Sequence, residues 1–194
     1  MKEKDVSAEE SFEIIQNMIS LSREKLHQTG FHFILWGILV AITSILQFLI
    51  IQQDWTLFPS YWVWPGMSLI GGIIAFTYEH NRSKKGRSQS KFDRIYMFLW
   101  LGFGVTLITT IVISVANHLS PVPFILSITG LAVFVSGIIY RFPPLIIGAI
   151  VFWAAAIGSL FLSPLDQLLL NAGALICGYI IPGILVGKKY VSTS

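Results

Sequence analysis

Apolar residues are arranged in six long runs, which are separated by short polar segments. The runs cover residues 33–51, 61–78, 96–117, 121–140, 143–162 and 165–186. Each is close to the roughly 20 residues that an α-helix needs to cross the hydrocarbon core of a bilayer. A backbone surrounded by lipid must bond its own N–H and C=O groups. The pattern therefore predicts an all-α polytopic bundle of six transmembrane helices. Pro182, inside the last run, predicts a local bend there.

The composition favours a membrane location. Hydrophobic residues make up 54% of the 194 residues and charged residues 12%, which is about half of the roughly 25% typical of soluble domains. Six crossings leave too little chain for a large soluble catalytic domain. Apart from Asp166, near the start of the last run, the runs contain no Asp, Glu, Lys or Arg. This argues against a proton relay or an ion-coupled pump, which needs an ionisable group at depth.

Basic residues define an orientation, because all thirteen lie on one side of this arrangement. They are Lys2, Lys4, Arg23, Lys25, Arg82, Lys84, Lys85, Arg87, Lys91, Arg94, Arg141, Lys188 and Lys189. By the positive-inside rule, both termini face the cytoplasm. The sequence thus predicts a multi-pass protein of a cell inner membrane.

A separate cytoplasmic amphipathic helix is predicted within residues 1–30. Ser7 and Glu10 have the spacing of an N-terminal capping box. The apolar residues that follow at helical spacing are Phe12, Ile15, Met18, Ile19 and Leu26. The segment lacks the basic polar face of a lipid-seeking helix. Three interpretations remain: the helix packs against its own bundle or a second copy, it docks a cytoplasmic protein, or it lies in the membrane interface. Residues 31–187 form the transmembrane domain and 188–194 a cytoplasmic tail.

An internal repeat is indicated at an offset of 65 residues, which aligns Gly37 with Gly102 and Gly72 with Gly137. A weaker third copy ends near Gly178. The repeat predicts three helical hairpins. Small residues four apart would let helices pack closely, within one bundle or between copies of a homo-oligomer. These pairs are Gly37 and Ala41, Ser68 and Gly72, Ala132 and Ser136, Ala154 and Gly158, and Ala174 and Gly178.

Uncharged polar residues suggest a lining inside the bundle. Four of them step by three or four along the third run and so share a helix face, while others in the first and last runs could turn toward the same interior. The candidates are Ser44, Gln47, Thr106, Thr110, Ser114, Asn117 and Asn171, with Gln167 beside them. Hydrogen bonding between helices and the lining of a narrow pathway for a neutral solute are the two interpretations.

Catalytic and metal-binding patterns are weak. His32 begins the first run and His80 follows the second, with Glu79 beside it, but they lack metal-ligand spacing on one element. We find no nucleophile motif and no phosphate-binding glycine loop. The sequence therefore predicts a protein that is not an enzyme, with no cofactor and no metal beyond these two weak candidates.

The loop between the second and third runs is strongly basic and faces an anionic leaflet. Its candidate contacts with lipid headgroups or a protein partner are Arg82, Lys84, Lys85, Arg87 and Lys91. Nucleic acid is not an expected partner, because no folded basic domain accompanies the loop.

Short motifs carry a resemblance to a known family. They are Phe33-Ile-Leu-Trp36-Gly37 after the N-terminal helix, Arg94-Ile-Tyr-Met-Phe-Leu-Trp100-Leu-Gly102, and Gly178-Tyr-Ile-Ile-Pro-Gly183. With these motifs the chain resembles, over nearly its whole length, an uncharacterised family of small six-span bacterial inner-membrane proteins. The resemblance implies the topology and no catalytic or binding residue.

These observations predict a non-enzymatic integral membrane protein. We expect it to act as a structural, regulatory or interaction module through its cytoplasmic helix and basic loop. Membrane lipid, a second copy of the chain and a cytoplasmic protein are the expected partners. The alternative is a small channel or permease for a neutral or weakly polar solute, lined by the Ser, Thr and Asn residues named above.

Overall fold

The computed structural model describes the backbone of residues 8–55, 59–83 and 91–185, and the side chains of residues 30–55, 59–81 and 94–185. All regular structure in these ranges is helical. The α-helices are α1 (Ala8–Gln52), α2 (Val63–Ser83), α3 (Lys91–Ala116), α4 (Val122–Ile139), α5 (Pro143–Ser159) and α6 (Asp166–Leu175). A short 3-10 helix, Ser60–Trp62, precedes α2. A π-helical segment, Ile176–Ile180, continues α6 and is followed by α-helical residues 181–185.

Four described helical stretches are long and apolar enough to cross a membrane, which is the make-up of an integral membrane protein. They are Gly30–Gln52, Arg94–Ala116, Val122–Ile139 and Asp166–Leu185. The fifth helix is apolar but shorter, with 17 residues. The second carries Glu79, His80 and Arg82 in its last turns, which shorten its apolar part.

The first helix differs from the sequence prediction of a separate cytoplasmic helix that ends before residue 30. It is continuous from Ala8 to Gln52, a run of 45 residues. Gly30 does not interrupt it, because a glycine inside a helix costs only about 1 kcal/mol. The apolar face proposed for residues 8–29 lies outside the described side chains.

The central layer consists of α1, α4, α5 and α6. The most extensive helix–helix contact joins α4 to α5, and α1 packs along α6 and the π-helical segment. The side chains that are almost fully enclosed at these contacts include Phe33, Leu126, Leu145 and Phe152. By contrast, α2 packs chiefly on α1, and α3 chiefly on α4. The two therefore form the margin of the bundle.

Three helices end in the same way, each with a non-glycine residue in the left-handed conformation. These residues are Asp54 after α1, His118 after α3 and Arg141 after α4, with φ of 50°, 55° and 49°. At each end, the N–H of this residue bonds the carbonyl three residues earlier, and the next N–H bonds the carbonyl five residues earlier. This is the Schellman motif, in which glycine is the usual residue.

The sixth helix begins with a reciprocal side-chain cap. Ser163 Oγ lies 2.7 Å from Asp166 Oδ2, and the Asp166 backbone N–H donates to Ser163 Oγ at 3.2 Å. Pro164 follows the capping serine, where a missing N–H costs nothing. This arrangement fixes the start of α6 at the end of the bundle that also holds Ser120 and Gln167.

Glycines that the sequence repeat aligns have different neighbours. A Cβ at Gly37 would touch Tyr179 and Ile180, whereas one at Gly102 would meet nothing within 4 Å. Likewise, Gly137 packs on α5 and Gly72 faces open space. The adjacent glycine of α2, not Gly72, is the one that packs on α1. The repeat is therefore not reproduced in how these glycines pack.

Candidate functional site

One buried hydrogen bond links the first and last helices at the centre of the bundle. Asn171 Nδ2 donates to Ser44 Oγ at 2.7 Å. Ser44 is fully enclosed and Asn171 is 5% exposed. Next to Ser44, Thr43 Oγ1 donates to the carbonyl of Leu39, in its own helix, at 2.7 Å. The structure thus brings together two of the predicted polar residues, and it uses them to join α1 to α6.

Gln167, one helical turn before Asn171, organises the same interface at the end where α6 begins. Its Nε2 donates to the carbonyl of Ser159 at 2.9 Å and to that of Leu162 at 3.3 Å. Its Oε1 accepts a hydrogen bond from Ser120 Oγ. One buried amide therefore joins α6 to the end of α5 and the start of α4. The i, i+4 spacing of Gln167 and Asn171 indicated their shared face, but not these partners.

Gln47 has a different partner from the other lining candidates. Its Oε1 accepts a hydrogen bond from Trp64 Nε1 at 2.7 Å. Trp64 lies in the first turn of α2, so this bond joins the start of α2 to α1.

The polar stripe of α3 is divided between two directions. Ser114 is buried and Thr110 is half-buried, whereas Thr106 and Asn117 are exposed. Thr106 Oγ1 donates to the carbonyl of Gly102 at 2.8 Å, and Asn117 Nδ2 donates to that of Ile113 at 2.8 Å. The exposed pair is thus satisfied within its own helix. The seven candidate residues lie on different faces of the bundle.

An aromatic cluster at the opposite end fixes the relative direction of the helices. The ring centroid of Phe33 lies 5.9 Å from that of Trp100 and 5.1 Å from that of Tyr179. Tyr96 lies 5.2 Å from Tyr140. The start of the apolar stretch of α1 and the start of α3 therefore lie beside the end of α4 and the π-helical segment.

The two histidine candidates are not brought together. His32 Nε2 lies 2.9 Å from Glu79 Oε1, which joins α1 to α2. His80 instead stacks on Phe76 of its own helix, with ring centroids 5.9 Å apart. Among the described residues, no three His, Cys, Asp or Glu side chains are placed to hold a metal ion.

The basic-loop candidates fall largely outside the structure. Residues 84–90, which include Lys84, Lys85 and Arg87, lie outside the described residues. For Arg82 and Lys91 only the helical backbone is described.

The backbones of α5 and the π-helical segment approach closely at two glycines, Gly148 and Gly178. An ideal Cβ on Gly148 would lie 2.5 Å from the carbonyl oxygen of Gly178, and one on Gly178 would lie 3.0 Å from the carbonyl oxygen of Gly148. Gly178 belongs to the π-helical segment, four residues before Pro182. A π-helical turn, packed on α5, thus lies just before Pro182, where the sequence predicts a local bend.

Comparison of the chain with protein-family models, with curated proteins and with solved structures gave no match.

Proposed function

We propose that this protein crosses an inner membrane six times, with both termini in the cytoplasm. We further propose that it is a non-enzymatic interaction module that acts through the cytoplasmic half of α1 and the basic loop. The chain resembles the six-span family in topology. That resemblance supports the number of crossings and not the functional part of the proposal.

Helix directions support six crossings. Because Phe33 and Trp100 meet, the two candidate spans α1 and α3 start on the same side, so α2 must return across the bilayer between them. Ser120 and Gln167 place the starts of α4 and α6 together on the other side, so α5 must also return. Its apolar length is nearly that of α4, on which it packs. The basic residues then assign the cytoplasmic side.

The continuity of α1 is the observation that carries the functional proposal. The 23 residues Gly30–Gln52 rise about 35 Å, enough to cross the hydrocarbon core. Residues 8–29 extend the same helix by about 33 Å beyond the span. A helix that continues without a break transmits a contact made at its cytoplasmic end into the bundle. The expected contact is a second copy of the chain or a cytoplasmic protein.

Site-specific photo-crosslinking in intact cells tests this proposal. A photoreactive amino acid at Ile15, on the predicted apolar stripe, is expected to form a covalent protein adduct. The matched control is Asn17, about 160° away around the helix. A product made only of this chain identifies self-association, and foreign peptides identify a separate partner.

The result that contradicts the proposal is equal adduct formation from Ile15 and Asn17, or adducts with lipid alone.

The topology is tested separately in a Cys177→Ser background. A cysteine introduced at Lys84 should resist a membrane-impermeant maleimide added outside intact cells, whereas one introduced at Gln53 should react.

A further inference from the structure

The π-helical segment is the largest irregularity within a described membrane-length helix. The N–H of Ile181 bonds the carbonyl of Ile176, five residues earlier, and not the carbonyl four residues earlier. Such wide turns are rare and are frequently found at functional sites. Pro182 accounts for its position, because a proline ring clashes with the carbonyl four residues before it and offers no N–H. That carbonyl belongs to Gly178.

Glycine contacts hold this segment from two sides. On one side, the carbonyl of Gly178 lies against Gly148 of α5, where the absence of a Cβ leaves room for it. On the other side, Gly37 of α1 is so close that a Cβ there would lie 2.9 Å from Ile180 Cγ1. The segment therefore lies between α5 and α1, and the ring of its Tyr179 also contacts Phe152 of α5 and Phe33 of α1.

The helical turn after Pro182 touches α1 where the membrane span begins. A Cβ at Gly183 would lie 3.2 Å from the carbonyl oxygen of Gly30 and 2.7 Å from Ile34 Cγ1. Gly30 is the first residue of the apolar stretch of α1. Residues 181–185 therefore contact α1 where its cytoplasmic half joins the span, as Tyr78 and Glu79 of α2 also do.

We propose that the segment Ile176–Ile180 is a hinge that couples the cytoplasmic half of α1 to α5. Conversion of the π turn to an α turn would rotate residues 181–185 by one residue, about 100°, relative to α6. The α form places the Pro182 ring against the Gly178 carbonyl and leaves that carbonyl without a helical partner, so it is the less populated of the two forms. This hinge rests on the proposed function, because it would transmit to α5 a contact that a partner makes with residues 8–29.

The single cysteine of the chain provides a direct probe of the hinge. Cys177 lies in the π-helical segment and is exposed. We expect a trifluoromethyl label on Cys177, in purified protein in lipid nanodiscs, to give two exchanging fluorine NMR signals. Pro182→Ala, which restores an N–H, should leave one signal. Gly183→Ala and Leu21→Pro, which disturb the contact with α1 and its cytoplasmic half, should each change the signal ratio at least about threefold.

Gly173→Ala is the matched control, because Gly173 is in α6 and a Cβ there would meet nothing within 4 Å. It should leave the two signals unchanged. One signal in the unmodified protein that Pro182→Ala does not alter would overturn the hinge, as would a Leu21→Pro or Gly183→Ala spectrum identical to that of Gly173→Ala. No partner is present in this experiment, so its outcome is independent of the crosslinking result. Failure of the hinge leaves the Ile15 adducts unaffected, and the absence of adducts leaves the fluorine spectra unaffected.

Discussion

The third and sixth helices are similarly apolar, yet they occupy very different surroundings. In the apolar stretch Arg94–Ala116 only 6% of the residues are buried within the chain, whereas in Asp166–Leu185 half are buried. Both contain glycines and polar residues. In the sixth helix Asn171 faces α1, and in its π-helical continuation Gly178 faces α5, whereas Gly173 is exposed. In α3, Gly102 and Thr106 lie on the exposed side.

The difference shows that hydropathy does not decide which helix is central in a membrane bundle. Lipid is as apolar as a leucine-rich core, so close packing and hydrogen bonds select the partners. The sixth helix donates side-chain hydrogen bonds from Gln167 and Asn171, and its π-helical continuation makes a backbone contact at Gly178. The third helix contacts its neighbours through Trp100 and Ser114, and its other face is exposed.

The largest effect should come from filling the backbone contact of the π-helical segment. In Gly148→Ala the new Cβ meets a carbonyl oxygen at 2.5 Å, which cannot move as a side chain can. We expect the free energy of unfolding to fall by about 2–3 kcal/mol, near the upper end for overpacking. Unfolding by SDS titration, followed by circular dichroism, measures it.

Gly102→Ala in α3 is the control, because its Cβ would meet nothing within 4 Å. Alanine is the better helix former by about 1 kcal/mol, so this variant should be unchanged or slightly more stable. Equal losses for the two variants would show that α3 packs as closely as α6, and the contrast between the helices would be lost.

Helix positions were largely predictable from the sequence. The run 121–140 corresponds to α4 at Val122–Ile139, and 96–117 corresponds to α3 at Lys91–Ala116. The physical reason is that a long apolar run in lipid has few alternatives to a helix. Polar ends and prolines then set the limits within a few residues.

Helix partners and helix rotation were not predictable in the same way. Gly71 packs against Trp36 and Leu39, while its neighbour Gly72 faces open space. The spacing of small residues is the same for either choice, and only the tertiary arrangement selects between them. Similarly, Thr106 is rotated about 120° from Trp100, which faces the bundle. The spacing of polar residues therefore identifies a helix face, but it does not identify the neighbour that this face contacts.

A second, smaller effect on stability should distinguish Asn171 of the sixth helix from Thr106 of the third. Asn171→Leu removes the buried bond to Ser44, and we expect it to lower the free energy of unfolding by about 1 kcal/mol. The serine hydroxyl can turn to its own helix backbone, which limits the loss. Thr106→Val in α3 is the control and should change stability by less than about 0.5 kcal/mol. The same SDS titration measures both, and a larger loss for Thr106→Val would contradict the assignment of its exposed flank.

The smallest effects concern the ends of α3 and α4, which share one motif but differ in residue type. Asp, Asn and His occupy the left-handed region more readily than other non-glycine residues, so the arginine is the least suited of the three. Arg141→Gly should therefore raise the free energy of unfolding by about 0.5–1 kcal/mol, and His118→Gly by less. Thermal unfolding in a neutral detergent measures the gain without a contribution from anionic lipid. If Arg141→Gly destabilises the protein, the arginine side chain stabilises this turn by more than its left-handed backbone conformation destabilises it. That outcome would assign Arg141 a contact of its own at the end of α4.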